Sequence, residues 1–252
     1  MKNNVGKRIA TSLLVALFWI GIWYLAAFLV DSVLLLPTPH DTLIASLELV
    51  STLEFYKVVF STLLRVALGL LLGILAGVIL ALLSHRFNLL KRILKPAVSV
   101  IRATPVASFI VLLWVLLSGN TLTVLVAFLM VMPIVWQNTL DGFSSIPVEL
   151  IEVADVFELS FGRRFRILVL PVLSNYIFPS IITSVGLAWK SEIAAEIIAY
   201  TKNSIGMHIN DAKTYLLTPT VFAWTAVIVV MSVLLEMLIR ALLRRPENDF
   251  KA

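Results

Sequence analysis

Three charged residues lie inside an apolar run of the sequence, where each charge needs a physical reason. Lys190, Glu192 and Glu196 fall within the segment LAWKSEIAAEIIAY. A charge at the centre of a membrane helix costs about 2.5–3.5 kcal/mol on insertion scales, so such groups pair, contact water or line a pathway. Glu192 and Glu196 share one helix face, whereas Lys190 lies about 160° from Glu192 around the helix. A direct pair between the lysine and this glutamate therefore needs a bend or a second helix.

Two interpretations of these charges are open from the sequence. In the first, they line a translocation path or its outer gate, and Arg102 in another apolar run is a further candidate. In the second, the helix ends near Trp189 and the three charges lie at the outer membrane interface. Arg65 stands near the start of the apolar run at about 62–83, and we expect its guanidinium to extend to the membrane interface.

The sequence contains little that could perform catalysis. It has no GxxxxGK[ST] segment, which excludes a P-loop nucleotide site, and no Ser/His/Asp grouping or plausible carboxylate pair stands out. It has no cysteine, which excludes thiol catalysis and Cys-based metal sites. Its three histidines are far apart and lack ligand spacing. We therefore expect a protein that is not an enzyme and that has no metal site.

Composition indicates an integral membrane protein. Of the 252 residues, 60% are hydrophobic and only 14% are charged, and the mean hydropathy is +1.00. Soluble domains carry about 25% charged residues. The net charge of +5 does not indicate nucleic-acid binding, because the basic residues lie beside apolar runs, as membrane topology requires.

We predict an all-α protein with a single transmembrane domain of six helices that contact lipid. Six apolar runs are candidates to cross about 30 Å of hydrocarbon. They lie at about 9–30, 62–83, 97–117, 121–136, 171–199 and 219–239. Residues 41–61 are predicted to form an amphipathic segment near the surface, and Pro105 is predicted to kink the third span.

The second span contains a small-residue pattern. Gly69, Gly73 and Gly77 form GxxxGxxxG, and Ala81 continues the row. Small residues four apart leave a groove where another helix can approach closely. The pattern predicts helix packing and implies no chemistry.

Lysine and arginine residues predict the orientation. If the N-terminus is cytoplasmic, fifteen of the 20 Lys and Arg residues lie on the inside and five on the outside. This bias predicts that both termini are cytoplasmic. It also places the loop at about 137–170 in the cytoplasm.

That loop contains a charged, amphipathic segment, EVADVFELSFGRRFRILVLP. Four acidic residues spaced by three predict a water-facing stripe on a helix. They are Glu149, Glu152, Asp155 and Glu158. Ser160 is placed to cap a second short helix, which Arg163 and its neighbours make basic, and Pro171 then begins the next apolar run. A membrane protein that keeps such a folded pair on one face offers it to a soluble partner.

The segment resembles the "EAA" loop of ABC importer permeases, the helix pair that docks into the ATP-binding subunit. Glu152, Ala154, Leu170 and Pro171 are in register with the family pattern, whereas Glu158 stands in place of its glycine. The residues that the resemblance assigns to ATPase coupling are Glu149, Glu152, Ala154, Asp155, Glu158, Ser160, Gly162, Arg163, Leu170 and Pro171.

The resemblance extends to the nitrate/sulfonate/taurine branch of these permeases. An AAE near the end of the fifth span, the glycine-containing loop at 204–207 and the PTP loop after the first span are similar to that branch. The likeness implies a type I (MetI-like) importer fold and a homodimer in a bacterial inner membrane. It further implies two ATP-binding subunits that hold ATP and Mg, an external solute-binding protein, and a small anion or vitamin precursor as substrate. The chain itself would hold no cofactor.

Two other functions are compatible with the residues alone. An ion- or proton-coupled secondary transporter would use Lys190, Glu192 and Glu196 as its relay. It would have no ATPase partner and would lose transport when the proton gradient collapses. A membrane scaffold without transport would tolerate neutral substitutions at these three positions.

Overall fold

The computed structural model describes the backbone of residues 2–243 and the side chains of residues 11–243. Within this range the regular secondary structure is helical, with no strand, which confirms the all-α prediction. The helices are α1 (Lys2–Val30), α2 (Pro39–Val50), α3 (Leu53–Arg86), α4 (Asn88–Ala103), α5 (Val106–Trp114), α6 (Gly119–Ser144), α7 (Val148–Val156), α8 (Phe161–Arg164), α9 (Leu170–Ala199), α10 (Ile205–Thr214) and α11 (Thr218–Leu243). A π-helical turn, Phe165–Val169, joins α8 to α9.

Five of the described helical segments are long and apolar enough to cross a membrane. They are Thr11–Val30, Leu53–Arg86, Gly119–Ser144, Phe161–Ala199 and Thr218–Leu243. The pair α4 and α5 is bent by 103° and makes a sixth span if it is counted as one. The basic tail residues Arg244 and Arg245 lie outside the described residues.

The second spanning helix begins nine residues before the predicted position of 62. The hydroxyl of Thr52 accepts a hydrogen bond from the Phe55 amide at 3.2 Å and caps α3 at Leu53. No glycine or proline interrupts the helix before Gly69. The predicted surface segment at 41–61 is therefore divided between α2 and the first turns of α3.

Helix α2 begins with a reciprocal capping box. The Thr38 hydroxyl and amide donate to the Asp41 carboxylate at 2.6 and 3.0 Å, and the Asp41 amide donates back to the hydroxyl. These bonds hold the pKa of Asp41 below its usual range.

The third predicted span, 97–117, is two helices. Pro105 pushes Thr104 into an extended conformation (φ −79°, ψ 130°), so the predicted kink is a sharp break. Helix α4 begins at Asn88, nine residues before the predicted start of the third span, and continues through Pro96.

The predicted fourth span, 121–136, lies within a longer helix. Helix α6 continues through Pro133 to Ser144, and the loop predicted at 137–170 loses its first eight residues to it. Side chains in this extension, including Leu140 and Phe143, are buried against neighbouring helices, and this packing compensates for the hydrogen bond that Pro133 cannot donate.

Helix α6 is the centre of the bundle and packs between α3 and α9. The structure places the three glycines of α3 directly against it. A Cβ added to Gly69 would lie 2.6 Å from the Ala127 Cβ, and one added to Gly73 would lie 2.7 Å from the Val131 Cβ. Backbone approach this close is possible only without a side chain. The contact brings the polar residues at the start of α3 beside the end of α9.

Candidate functional site

A buried ion cluster joins α3 to α9. Arg65 is 4% exposed, and Glu192 and Glu196 are fully buried. The Arg65 Nε donates to the Glu192 Oε1 at 3.1 Å, and its Nη2 donates to the Glu196 carboxylate. The expectation that Arg65 extends to the membrane interface is therefore wrong, because two interior carboxylates satisfy its charge. Helix α9 also continues to Ala199 and does not end near Trp189.

The same cluster holds the start of α10. The Thr62 hydroxyl donates to the Glu196 Oε1 at 2.8 Å and accepts a bond from the Ile205 amide at 3.2 Å. The second carboxylate oxygen of Glu196 accepts a bond from the Gly206 amide at 3.0 Å. Glu196 therefore connects α3, α9 and α10 through hydrogen bonds that water does not reach.

The remaining donors of the Arg65 guanidinium are also used. The Nη1 donates to the Ser61 hydroxyl at 2.8 Å and to the Asn120 side-chain oxygen at 3.3 Å. The Nη2 donates to the Asn203 carbonyl at 3.3 Å. A planar guanidinium can serve several acceptors in fixed directions. One arginine thus holds α3, α6, α9 and the loop before α10 in a single arrangement.

The cluster contains two carboxylates and one guanidinium, and the two carboxylates differ in their hydrogen bonding. Glu196 accepts bonds on both oxygens. The Oε2 of Glu192 has no hydrogen-bond partner among the described residues. Burying charged groups is costly, and removing one partner of such a cluster costs more than the pair contributes. The cluster therefore specifies one geometry at the end of the bundle.

The other two path candidates lie elsewhere. Lys190 is exposed on α9, and Arg102 is exposed in the last turn of α4. Of the four candidates, the structure brings together only Glu192 and Glu196. A role of these four residues in the path or gate stays a prediction.

Sequence reasoning missed Thr62, Asn120 and the amides at the start of α10. A signal for Thr62 was present, since Thr62 and Gly69 are seven residues apart and share the helix face that packs inward. Nothing local indicates that this face meets α9, because Thr62 and Glu196 are 134 residues apart in sequence.

The loop at the other end of α9 folds as a helix pair. The Leu159 amide donates to the Ala154 carbonyl and the Glu158 amide to the Asp155 carbonyl, both at 3.0 Å. This is the Schellman pattern of a helix C-terminus, which places its turn residue in the left-handed region. Glu158 adopts φ +48° there, so the turn keeps a conformation suited to glycine although a glutamate occupies it.

Arg164 fastens the two short helices together. Its Nη2 donates to the Ile151 carbonyl at 2.9 Å and to the Asp155 carboxylate. Ser160 occupies the cap position of α8, but its side chain makes no cap hydrogen bond, so that detail of the prediction is wrong. The Ser160 carbonyl instead accepts a bond from the Arg164 amide at 2.9 Å.

Both sides of α7 are open to solvent. The predicted acidic stripe is exposed at all four positions, Glu149, Glu152, Asp155 and Glu158. Apolar side chains of the loop are exposed as well: Val156 by 80%, Phe157 by 72% and Phe161 by 85%. Of α7, only Ala154 is buried. Gly162, Arg163, Leu170 and Pro171 are exposed in α8 and at the start of α9.

The loop and the ion cluster lie at opposite ends of one helical segment. Residues Phe161–Ala199 run without a break through α8, the π-turn and α9. At 1.5 Å per residue, this segment is about 58 Å long. A multi-span helical protein that presents a folded, uncovered helix pair at the end of such a segment has the arrangement expected of a membrane transport subunit that docks a soluble partner.

Comparison with known sequences identifies the family. The chain belongs to the family described as binding-protein-dependent transport system inner membrane component, which matches residues 69–248. The protein is thus a multi-pass inner-membrane permease subunit of an ABC importer, and the family implies an ATP-binding subunit and a solute-binding protein as partners. The resemblance noted from the loop is confirmed, and the secondary-transporter and scaffold alternatives are wrong.

Several curated relatives are permeases of this kind. The aliphatic sulfonates transport permease SsuC of Bacillus subtilis (strain 168) is 28% identical, and the match covers 90% of this chain and 82% of the relative. The taurine transport system permease TauC of Escherichia coli (strain K12) is 26% identical over 97% of this chain and 90% of its own length. The nitrate import permease NrtB of Synechococcus elongatus is 31% identical, and the match covers 59% of this chain and 53% of the relative.

Proposed function

We propose that two copies of this chain form the membrane pathway of an ATP-driven importer for a small anion. The exposed helix pair at the cytoplasmic end of α9 carries this proposal. Each chain has one such loop, and two ATP-binding subunits need two. Both termini lie in the cytoplasm, as the bias of Lys and Arg predicts.

The docking surface is the loop formed by α7, the turn at Glu158 and α8. Exposed aromatic and aliphatic side chains beside an acidic stripe are typical of an interaction site. Arg164 holds α8 to α7, so the surface is preformed and little conformational entropy is lost when a partner binds. The soluble partner that we propose for this surface is the ATP-binding subunit that the family implies.

The loop transmits force because it is continuous with α9. Closure of the two ATP-binding subunits would move both loops and rotate the helices between inward-open and outward-open arrangements, a rigid-body transition. ATP and Mg²⁺ are held by the partner subunit, and this chain contributes no ligand to them.

The substrate is a small anion such as a sulfonate, taurine or nitrate. A vitamin precursor is the alternative that the family resemblance implies. Relatives named for sulfonates, taurine and nitrate support the anion class. An external binding protein delivers the solute and supplies most of the selectivity.

Purification of the tagged chain from its native membrane in mild detergent tests the proposal. Mass spectrometry should find an ATPase with a Walker sequence at about one copy per chain. A homo-oligomer without ATPase, under conditions that preserve a control ABC complex, would refute it.

A charge reversal tests the role of the loop. We expect Glu152→Lys to lower solute uptake at least about tenfold, since truncated charge pairs at interfaces cost 2–5 kcal/mol. ATP hydrolysis should continue without coupled transport. Glu48→Lys, the same change on an exposed glutamate of α2, is the control. Normal coupled uptake by Glu152→Lys would exclude the docking role.

A further inference from the structure

The loop formed by α7, the turn at Glu158 and α8 is called the coupling loop here. Glu196 lies three residues before the end of α9, on the helical segment that begins with α8 in this coupling loop. Its carboxylate accepts bonds from α3 on one oxygen and from α10 on the other. One end of this segment therefore lies in the proposed docking surface for the ATP-binding subunit. Its other end contacts α10 at the opposite end of the bundle.

The seat of α10 on α9 is tight. A Cβ added to Gly206 would lie 2.4 Å from the Glu196 Cβ and 2.5 Å from the Ile197 amide nitrogen. The Asn210 side chain donates to the Ile197 carbonyl at 3.2 Å. Backbone contact at this distance, with buried hydrogen bonds on both sides, leaves α10 little room to slide over α9.

We propose that Thr62 and Glu196 are positioning residues that fasten α10 to α9, so that α10 moves together with the coupling loop. Through this connection, an event at the outer surface of the bundle reaches the ATP-binding subunit, and ATP binding reaches the outer surface. Coupling between two sites is reciprocal, so it can be tested from either end. This inference rests on the proposed function.

Two neighbouring hydroxyls provide a matched pair of variants. The Thr62 hydroxyl donates to Glu196 and accepts bonds from the Ile205 amide and from the Arg65 Nη2, the latter at 3.1 Å. Thr62→Val therefore removes its hydrogen bond to α10, keeps every charge and leaves the bond from the Gly206 amide to Glu196 in place. The Ser61 hydroxyl also accepts a bond from Arg65, at 2.8 Å, but within the described chain it bonds no residue of α10. Ser61→Ala is therefore the control.

A third variant acts without changing any hydrogen-bonding side chain. Gly206→Ala places a methyl group where Glu196 and Ile197 leave no space and so displaces α10. It tests the seating of α10 independently of Thr62.

The measurement uses a spin label on α10. The chain has no native cysteine, so Lys213→Cys on the exposed side of α10 gives a single labelling site. The labelled protein is purified with its ATP-binding subunit and placed in lipid nanodiscs. Electron paramagnetic resonance spectra are recorded without nucleotide and with Mg-ATP and vanadate.

With no other substitution, the label's spectrum should change on addition of Mg-ATP and vanadate. In Thr62→Val and Gly206→Ala, the change should fall at least about fivefold, the lower end of typical coupling between sites, while ATP hydrolysis continues. Ser61→Ala should respond as the unsubstituted complex does.

Three results would overturn the inference while leaving the proposed function intact. They are an unresponsive label in a complex that hydrolyses ATP, a full response in both Thr62→Val and Gly206→Ala, or an equal loss in Ser61→Ala. Failure of any ATPase to co-purify would instead refute the proposed function, and the inference with it. If one of the two test variants does not assemble, the other decides.

Discussion

Removal of the Arg65 guanidinium should destabilise the protein more than other single arginine substitutions. Arg65→Met keeps the length and apolar part of the side chain but leaves Glu192 and Glu196 buried without a cation. Breaking a buried ion pair in this way costs about 3–5 kcal/mol. For a protein of this size, 1 kcal/mol corresponds to about 2–4 °C in Tm, so the expected loss is about 6–20 °C.

Arg240→Met is the matched control. Arg240 pairs with Glu236 one turn away on α11, and both side chains are about half exposed. Surface pairs of this kind contribute little, and the change in Tm should stay below about 2–4 °C.

The assay is thermal unfolding of the purified protein in detergent, followed by tryptophan fluorescence and by recovery of the monodisperse peak after heating. A triple variant, Arg65→Met with Glu192→Gln and Glu196→Gln, removes both orphaned charges and should recover part of the loss. If Arg65→Met melts within about 2 °C of the unsubstituted protein, or the triple variant is no more stable than the single one, the ion-cluster argument is wrong.

Two further substitutions test the loop and the helix contact. Glu158→Gly should slow hydrogen exchange at the Leu159 amide about threefold, because glycine occupies φ +48° without a clash; faster exchange would contradict the assignment of the turn. Gly73→Leu should abolish recovery of folded protein, since even its Cβ would lie 2.7 Å from the Val131 Cβ. Gly21→Leu should fold normally, because an added Cβ there would have no atom within 4 Å apart from its chain neighbours and the nearby backbone of its own helix. Equal behaviour of the two leucine variants would argue against close packing of α3 on α6.

Properties that depend on composition and short-range pattern follow from the sequence. The apolar runs predict spanning helices because lipid requires every backbone group to bond within its own segment. The spacing of Gly69, Gly73 and Gly77 predicts a packing face because helical periodicity puts these residues on one side. The loop from Glu152 to Pro171 is recognisable because its acidic start and its Leu-Pro end keep the family's spacing.

Helix boundaries depended on neighbours that the sequence does not identify. Pro133 does not end α6, because burial against α3 and α9 compensates for one missing hydrogen bond. The left-handed turn at Glu158 follows from the two hydrogen bonds that close α7, although glutamate does not favour that conformation.

The partners of the charged residues were decided by tertiary structure alone. The sequence shows that Glu192 and Glu196 need a compensating group. The nearest cation in sequence is Lys190, which lies about 160° from Glu192 around the helix and is not placed to pair with it directly. The cation is Arg65, which lies 127 residues from Glu192 and 131 residues from Glu196 in sequence. It reaches both glutamates because the glycine face of α3 packs closely against α6 and so places the start of α3 beside the end of α9. The cost of a buried charge is a local property and can be read from one helix. Its compensation is a long-range contact, which arises only when several helices pack together.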